Sequence, residues 1–178
     1  DGVIVNVGRH PAVLGAACER IRAGALAAGR TPEAVHVVVF FFCAIDPDGA
    51  AARARLTPSV SWFWQRFPAL CVRAGLPAGP GAARELARFE ADYARYDLVH
   101  SDTWDQAMRD ATFLSSAYVD AFAIGGTAGE VVAQLQAVRA LGVDHVVIRP
   151  PSHDDWQPTV RAFGREVIPA FRGMAEDA

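Results

Sequence analysis

Asn6, Gly8, Arg9 and His10 follow one another closely behind the apolar run Val3, Ile4, Val5 and Val7, and a helical pattern starts directly after them. Glycine lets a backbone approach a ligand closely, arginine offers a planar fork matched to phosphate or carboxylate, and a helix N-terminus adds N–H donors aimed at negative charge. The chemistry on offer is anion binding. The plain alternative is a strand-to-helix turn with a solvated arginine, and on the sequence both readings stand. Two further places hold comparable positions: Phe42 and Ala44 near the end of the second apolar run, and Arg149, Pro150 and Pro151 just past the third.

Other groups weigh less. His153, Asp154 and Asp155 look like metal ligands, but three polar residues before a helix serve as caps and no second cluster completes a site, so no metal is expected. His36 and His145 fall within strand patterns and read as core or sheet-surface residues. The adjacent glycines of "IGGTAGE" do not follow the strand–GxGxxG–helix arrangement of a phosphate loop. Thr127 with Glu130 three residues on is a capping box that requires no ligand. Trp62, Phe63, Trp64 and Phe67 crowd too many rings together for one helical stripe; an oligomer interface, a lid or plain packing all fit them.

The elements that must position these residues alternate regularly. A strand over Val3 to Val7 leads to a helix whose face is Leu14, Cys18, Ile21, Ala25 and Ala28, stopped by Gly29. A short turn at Thr31-Pro32-Glu33 precedes the strand Val35 to Ile45, the most apolar run of the chain. Asp46-Pro47 reads as an N-cap with proline at the first helical position. Helical segments are expected over Arg84 to Tyr96 and Thr103 to Val119, with a flexible break at "GLPAGPGAA" between the aromatic group and the first of them.

The last stretch, Ile124 to Arg172, spells helix, strand and helix with almost no slack. Val131, Leu135, Val138 and Leu141 form the stripe of its first helix, and Gly142 supplies a left-handed stop. Val143 to Ile148 lacks strict alternation, which is how a strand covered on both faces reads, and such strands belong to parallel sheets. The three strands are therefore expected to be parallel and adjacent in chain order with right-handed crossovers, as in one part of an α/β barrel.

Composition sets limits on partners. The chain is 52% hydrophobic with a net charge of -3, and its 17 basic residues are all arginine. That balance speaks against nucleic acid, which needs a concentrated basic surface. A membrane helix takes about 20 apolar residues, more than any run here supplies. Cys18, Cys43 and Cys71 are odd in number and lie in helical or strand patterns, the usage of reduced thiols in a cytoplasmic protein.

"DGVIVNVG", "GALAAGRTPEAV", "AIDPDGAAARA", "FAIGGTAGEVVAQLQAVRALGVDHVVIRPP" and "FGREVIPAFR" occur in an order that resembles the luciferase-like flavin- or deazaflavin-dependent oxidoreductases. Within them the chain looks most similar to the methylenetetrahydromethanopterin reductase-like branch, which uses coenzyme F420. The resemblance covers essentially all of residues 1–178 and rests on the order of the segments rather than on one diagnostic motif. It implies the C-terminal part of a single (β/α)8 barrel domain, a partial TIM barrel of about the last three strand-helix units, with a helical insertion over roughly 47–126. A complete barrel takes about 250 residues, so the remaining strands and the catalytic residues are expected outside this chain, and the isolated chain is expected to be inactive.

The activity implied is F420-dependent hydride transfer to or from a small organic substrate. The alternatives are an FMN-dependent monooxygenase and a non-catalytic half-barrel that binds or assembles. Barrel sites lie just past the strands, which assigns Asn6, Gly8 and Arg9 to the cofactor and His10, Phe42 and Arg149 to the substrate. F420 is favoured over FMN because "DGVIVNVG" and "GALAAGR" look closer to the deazaflavin reductases; both carry anionic groups suited to Arg9. The full-length protein is expected to be a homo-oligomer in the cytoplasm.

Overall fold

The computed structural model describes residues 1–66, 74–76, 116–151 and 156–171. In chain order the elements are β1 (Gly2–Val5), α1 (Pro11–Ala27), a 3₁₀ turn (Pro32–Ala34), β2 (His36–Ile45), α2 (Gly49–Arg66), α3 (Ser116–Phe122), β3 (Ala123–Gly126), α4 (Ala128–Ala140), β4 (His145–Arg149) and α5 (Trp156–Ala162). Phe163–Val167 continues α5 as a π-helical turn.

All strand pairs are parallel and all involve β2. Val38 has partners in both β1 and β4, and Phe42 has partners in both β3 and β4. A strand has only two edges, so β4 fills one of them and β1 and β3 lie end to end along the other. The three strands read from the sequence are thus parallel and adjacent in the expected order. The fourth, β3, lies inside the stretch expected to be a purely helical insertion and corrects that boundary. Its sequence, Ala-Ile-Gly-Gly, has little strand propensity, and what makes it a strand is the upper half of an otherwise unpaired β2 edge.

Odd-numbered residues of β2 point to one face. There Val37, Val39, Phe41, Cys43 and Ile45 form a core with Leu14 and Cys18 of α1, Val131, Leu135 and Val138 of α4, and Phe163 and Val167 after α5. A second core forms around Ala44 and Ala123, covered by Ala52, Leu56 and Val60 of α2 and by Tyr118, Val119 and Phe122 of α3. Strand β4 corrects a further expectation. It is not buried on both faces, because Val146 and Ile148 pack against the first core while His145, Val147 and Arg149 are exposed.

Helix ends follow the sequence with one exception. Gly29 and Gly142 take φ +70° and +90° behind α1 and α4, as expected of left-handed stops. The capping box is formed: Thr127 Oγ1 accepts from Glu130 N–H at 3.3 Å and Glu130 Oε2 accepts from Thr127 N–H at 2.7 Å. That backbone hydrogen bond, followed by the one from Arg53, holds the Glu130 carboxyl below its ordinary range. For α2 the cap is Asp48, whose Oδ1 accepts from Ala50 and Ala51 N–H, and not Asp46. Asp46 instead accepts from Asp48 N–H and from Arg55.

Two side chains complete the sheet where strands run out. Above the last residue of β4, buried Thr159 Oγ1 accepts Ile45 N–H at 3.3 Å. On the side of β3 away from β2, the Gln134 amide accepts from Gly125 N–H at 3.1 Å and donates to Gly125 C=O at 2.9 Å, imitating a neighbouring strand. Leaving a buried backbone group without a partner costs about 1–3 kcal/mol. Gln134→Ala is therefore expected to lower stability by about 1–3 kcal/mol, read as a lower urea midpoint at unchanged slope; an unmoved midpoint would show that water replaces the amide freely.

Candidate functional site

Register and pleat divide the sequence-derived site residues into two groups. Side chains alternate along a strand, and residues in parallel register share a face. Ile4, Val38 and His145 form one row, and Phe40 and Val147 form the next. Phe42, Ala123 and Arg149 form the row after that, followed only by Ala44 with Gly125. Val5 and Val7 both pack against the helix-covered core, so Asn6 between them belongs to the opposite face, with Ile4 and Phe42. Asn6, Phe42 and Arg149, far apart in sequence, thus come to one side of the sheet.

That side is open over its lower rows, while beyond them the second core covers Ala44 and Ala123 and Phe42 packs against it. Ile4 is 73% and Val147 40% exposed, and Val38, Phe40 and Phe42 are only half-buried. The rings of Phe40 and Phe42 meet edge to face, with centroids 5.6 Å apart at 80°. The Arg149 guanidinium carbon stands 5.6 Å from the centroid of Phe42, within cation–π range. Asn6 Oδ1 is buried without a hydrogen-bond partner among the described residues.

Gly8, Arg9 and His10 lie against the α3–β3 junction, whose Ala123 is the register partner of Phe42. Gly8 has φ +77°, and a Cβ there would lie 2.4 Å from the Phe122 ring and 2.5 Å from Ala121 O. Arg9 and His10 both donate their backbone N–H to Ala121 O, at 2.7 and 3.2 Å. The Arg9 side chain donates from Nε to Ala123 O at 2.7 Å and from Nη2 to Asp120 at 3.2 Å. Burial lowers the pKa of Arg9, and the Asp120 charge acts in the opposite direction. His10 is the N-cap of α1 without a side-chain cap bond, and its Nδ1 is buried with no partner among the described residues. Arg9, His10 and Asp120 line a cavity of about 400 Å³ bounded by Gln134, Val138 and Leu141 of α4 and its C-cap.

The remaining candidates are placed as follows. Ala44 is fully buried, Pro151 is buried and Pro150 half-buried. His36 and His145 are exposed on the sheet. His153, Asp154 and Asp155 lie outside the described residues, as do Phe67, Cys71 and the segment Arg84 to Tyr96; Trp62, Phe63 and Trp64 fall on the backbone of α2. Among the described residues no cluster of histidine, cysteine or carboxylate is arranged to hold a metal. Cys18 and Cys43 are buried free thiols, and burial pushes Cys43 up to about 12, which removes it as a nucleophile.

Phe40 and Gln134 were not singled out by sequence reasoning. Phe40 was recoverable, since it is two residues from Phe42 and the strand period alone puts both on one face. Gln134 had a weaker signal, an amide three residues beyond Val131 on the edge of an apolar stripe.

The sequence profile of the luciferase-like monooxygenase family matches residues 1–145. The chain is similar to the 5,10-methylenetetrahydromethanopterin reductase of Archaeoglobus fulgidus, with 26% identity over 172 residues, covering 97% of this chain and 49% of that protein. It is equally similar to the enzyme of that name from Methanopyrus kandleri, 26% identical over 174 residues and covering 97% and 45%. The chain thus spans about half the length of the curated relatives it matches. Among solved structures, the coenzyme F420-dependent tetrahydromethanopterin reductase from Methanopyrus kandleri superposes with a TM-score of 0.76 at 23% identity, over 96% of this chain and 45% of that one. A riboflavin lyase solved with modified FMN and riboflavin gives a TM-score of 0.51 at 18% identity, covering 98% and 39%. These likenesses establish an α/β fold with a parallel sheet similar to that of the reductase.

Proposed function

The chain belongs to the luciferase-like monooxygenase family, and from that premise we propose that it supplies the later strands of a barrel oxidoreductase that moves a hydride between coenzyme F420 and a small organic substrate. The observation that carries the reading is the gathering of Asn6, Phe42 and Arg149 on the open face of the sheet, toward the C-terminal strand ends where barrel enzymes hold their ligands. The preference for F420 rests on the relatives, two methylenetetrahydromethanopterin reductases and an F420-dependent reductase of the same fold.

The residues present fit such a cofactor in two respects. Asn6 offers a buried amide oxygen that has no hydrogen-bond partner among the described residues. Arg9 is a half-buried cation paired with Asp120, and its Nη1 has no hydrogen bond among the described residues. The bound deazaflavin would supply the hydride chemistry; this chain's part is to orient the ring, hold its anionic groups and keep water out. His10, Phe42 and Arg149 are assigned to the substrate side. Among the described residues no helix is long and apolar enough to cross a membrane.

FMN is the second reading, favoured by the riboflavin lyase that shares the fold. Equilibrium titration of the full-length protein with each cofactor decides between them. F420 is expected to bind more tightly, and Arg9→Ala is expected to weaken it about tenfold, the scale of one charge-assisted hydrogen bond. Tight FMN binding with no affinity for the deazaflavin would reverse the choice, and an unchanged affinity in Arg9→Ala would remove Arg9 from the site.

A further inference from the structure

The cavity of about 400 Å³ between α3 and α4 has a lining of its own, which includes none of Ile4, Phe40, Phe42, Val147 and Arg149. Apart from Gln134, whose amide is committed to Gly125, its polar side chains are Arg9, His10 and Asp120. The Arg9 guanidinium gives Nε to Ala123 O and Nη2 to Asp120, while Nη1 has no hydrogen bond among the described residues. The His10 side chain makes none among them either, and because its Nδ1 is buried, Nε2 is the ring nitrogen left to meet a ligand. Neighbouring residues thus present two unengaged nitrogens.

The other walls are small or apolar. Ala74, Ala117 and Ala137 leave the space open, and Leu76, Val138 and Leu141 give it an apolar surface. A volume of this size falls in the range of small-molecule sites, which combine mostly apolar walls with a few polar groups that fix orientation. A carboxylate brings two acceptor oxygens to two donors, and an apolar body covers the remaining walls. Asp120, 3.2 Å from Arg9 Nη2, limits the charge the site takes, since a phosphate dianion would set a second negative charge against that carboxylate. A neutral apolar guest would desolvate Arg9 Nη1 and give it no partner.

We propose that this cavity binds a small monocarboxylic acid with a compact apolar body, its carboxylate held by Arg9 Nη1 and by His10 Nε2 carrying the ring proton, its body against Val138 and Leu141. This goes beyond the cofactor reading above and shares only Arg9 and His10 with it. The acid takes the Nη1 that an anionic cofactor would use, so occupancy by one excludes the other at that atom.

The test uses the 178-residue chain, at a concentration where light scattering gives the monomer mass, and three probes titrated by ligand-observed NMR: benzoate, benzyl alcohol, which has the same ring without the charge, and inorganic phosphate. Benzoate is expected to bind about tenfold more tightly than benzyl alcohol, and phosphate not to saturate. Ala137→Phe, at an exposed helix position on the cavity wall, is expected to abolish saturation by both ring probes. Arg9→Gln is expected to erase the difference between them. Should that variant unfold for want of the bond to Ala123, Asp120→Asn, at an exposed position, reads the same head group: benzoate is expected to tighten severalfold and benzyl alcohol to stay unchanged. Equal affinity for benzoate and benzyl alcohol, phosphate binding as tightly as benzoate, parent-like benzoate affinity in Ala137→Phe, or an unmoved benzoate affinity in Asp120→Asn would each overturn the proposal. Failure of benzoate leaves the cofactor reading standing, and failure of the full-length protein to take F420 or FMN leaves these titrations as they are.

Discussion

Gly8→Ala is expected to lower stability by several kcal/mol. Two costs combine. A non-glycine residue in the left-handed region gives up about 1–2 kcal/mol, and forcing atoms into a closed contact adds about 1–3 kcal/mol. At Gly8 both apply, because φ is +77° and the added carbon would meet the Phe122 ring and the Ala121 carbonyl at 2.4 and 2.5 Å. A domain is stable by only about 5–15 kcal/mol, so the loss is a large share of the total. Urea unfolding measures it directly, with a lower midpoint and an unchanged slope as the expected result. Adding Phe122→Ala clears the ring and leaves the carbonyl in place, so the double variant should not recover. A Gly8→Ala protein with the parent midpoint would show that the turn relaxes freely and is not pinned to α3.

The second large effect is association of the isolated chain. Among the described residues, β1 and β4 have no partner on their outer edges, and both present apolar side chains there: Val3 is 40%, Ile4 73% and Val147 40% exposed. Unpaired ladder groups beside apolar surface are a template for another chain. The mean mass from light scattering is expected to rise steeply with concentration. Ile4→Lys combined with Val147→Lys should shift it back toward the monomer, because both residues point to the open face and neither contributes to a core. A monodisperse monomer that melts cooperatively would mean that the 178-residue chain is sufficient in itself and that its open face tolerates water.

Where the sequence was legible, the signal was local. The capping box at Thr127 and Glu130, the left-handed glycines at 29 and 142, and β2 all follow from residues within a turn or a strand of one another. The co-facial placement of Asn6, Phe42 and Arg149 was within reach too, since it needs only the strand period and a register. What escaped depends on distant partners. Ala123–Gly126 is a strand only because β2 has an edge to offer. Asp48 displaces Asp46 as a cap because Asp46 is engaged by Arg55. Arg9 reads as a free fork in sequence, yet two of its three side-chain nitrogens are taken by Ala123 and Asp120. Strand β4 read as doubly buried because nothing in Val146 to Ile148 says which neighbours will arrive.

The end-to-end arrangement of β1 and β3 along one edge of β2 has a consequence in time. β1 joins β2 through a single intervening helix, whereas β3 reaches the same edge only after the chain has returned from a long detour. Closing a longer loop costs entropy before any contact repays it, and such pairings form late. The bonds from Arg9 to Ala121 and Ala123 belong to the second event, the latter bridging 114 residues. The lower half of that edge is therefore a nucleus and the upper half a closure, and the amide of Arg9 marks the boundary between them.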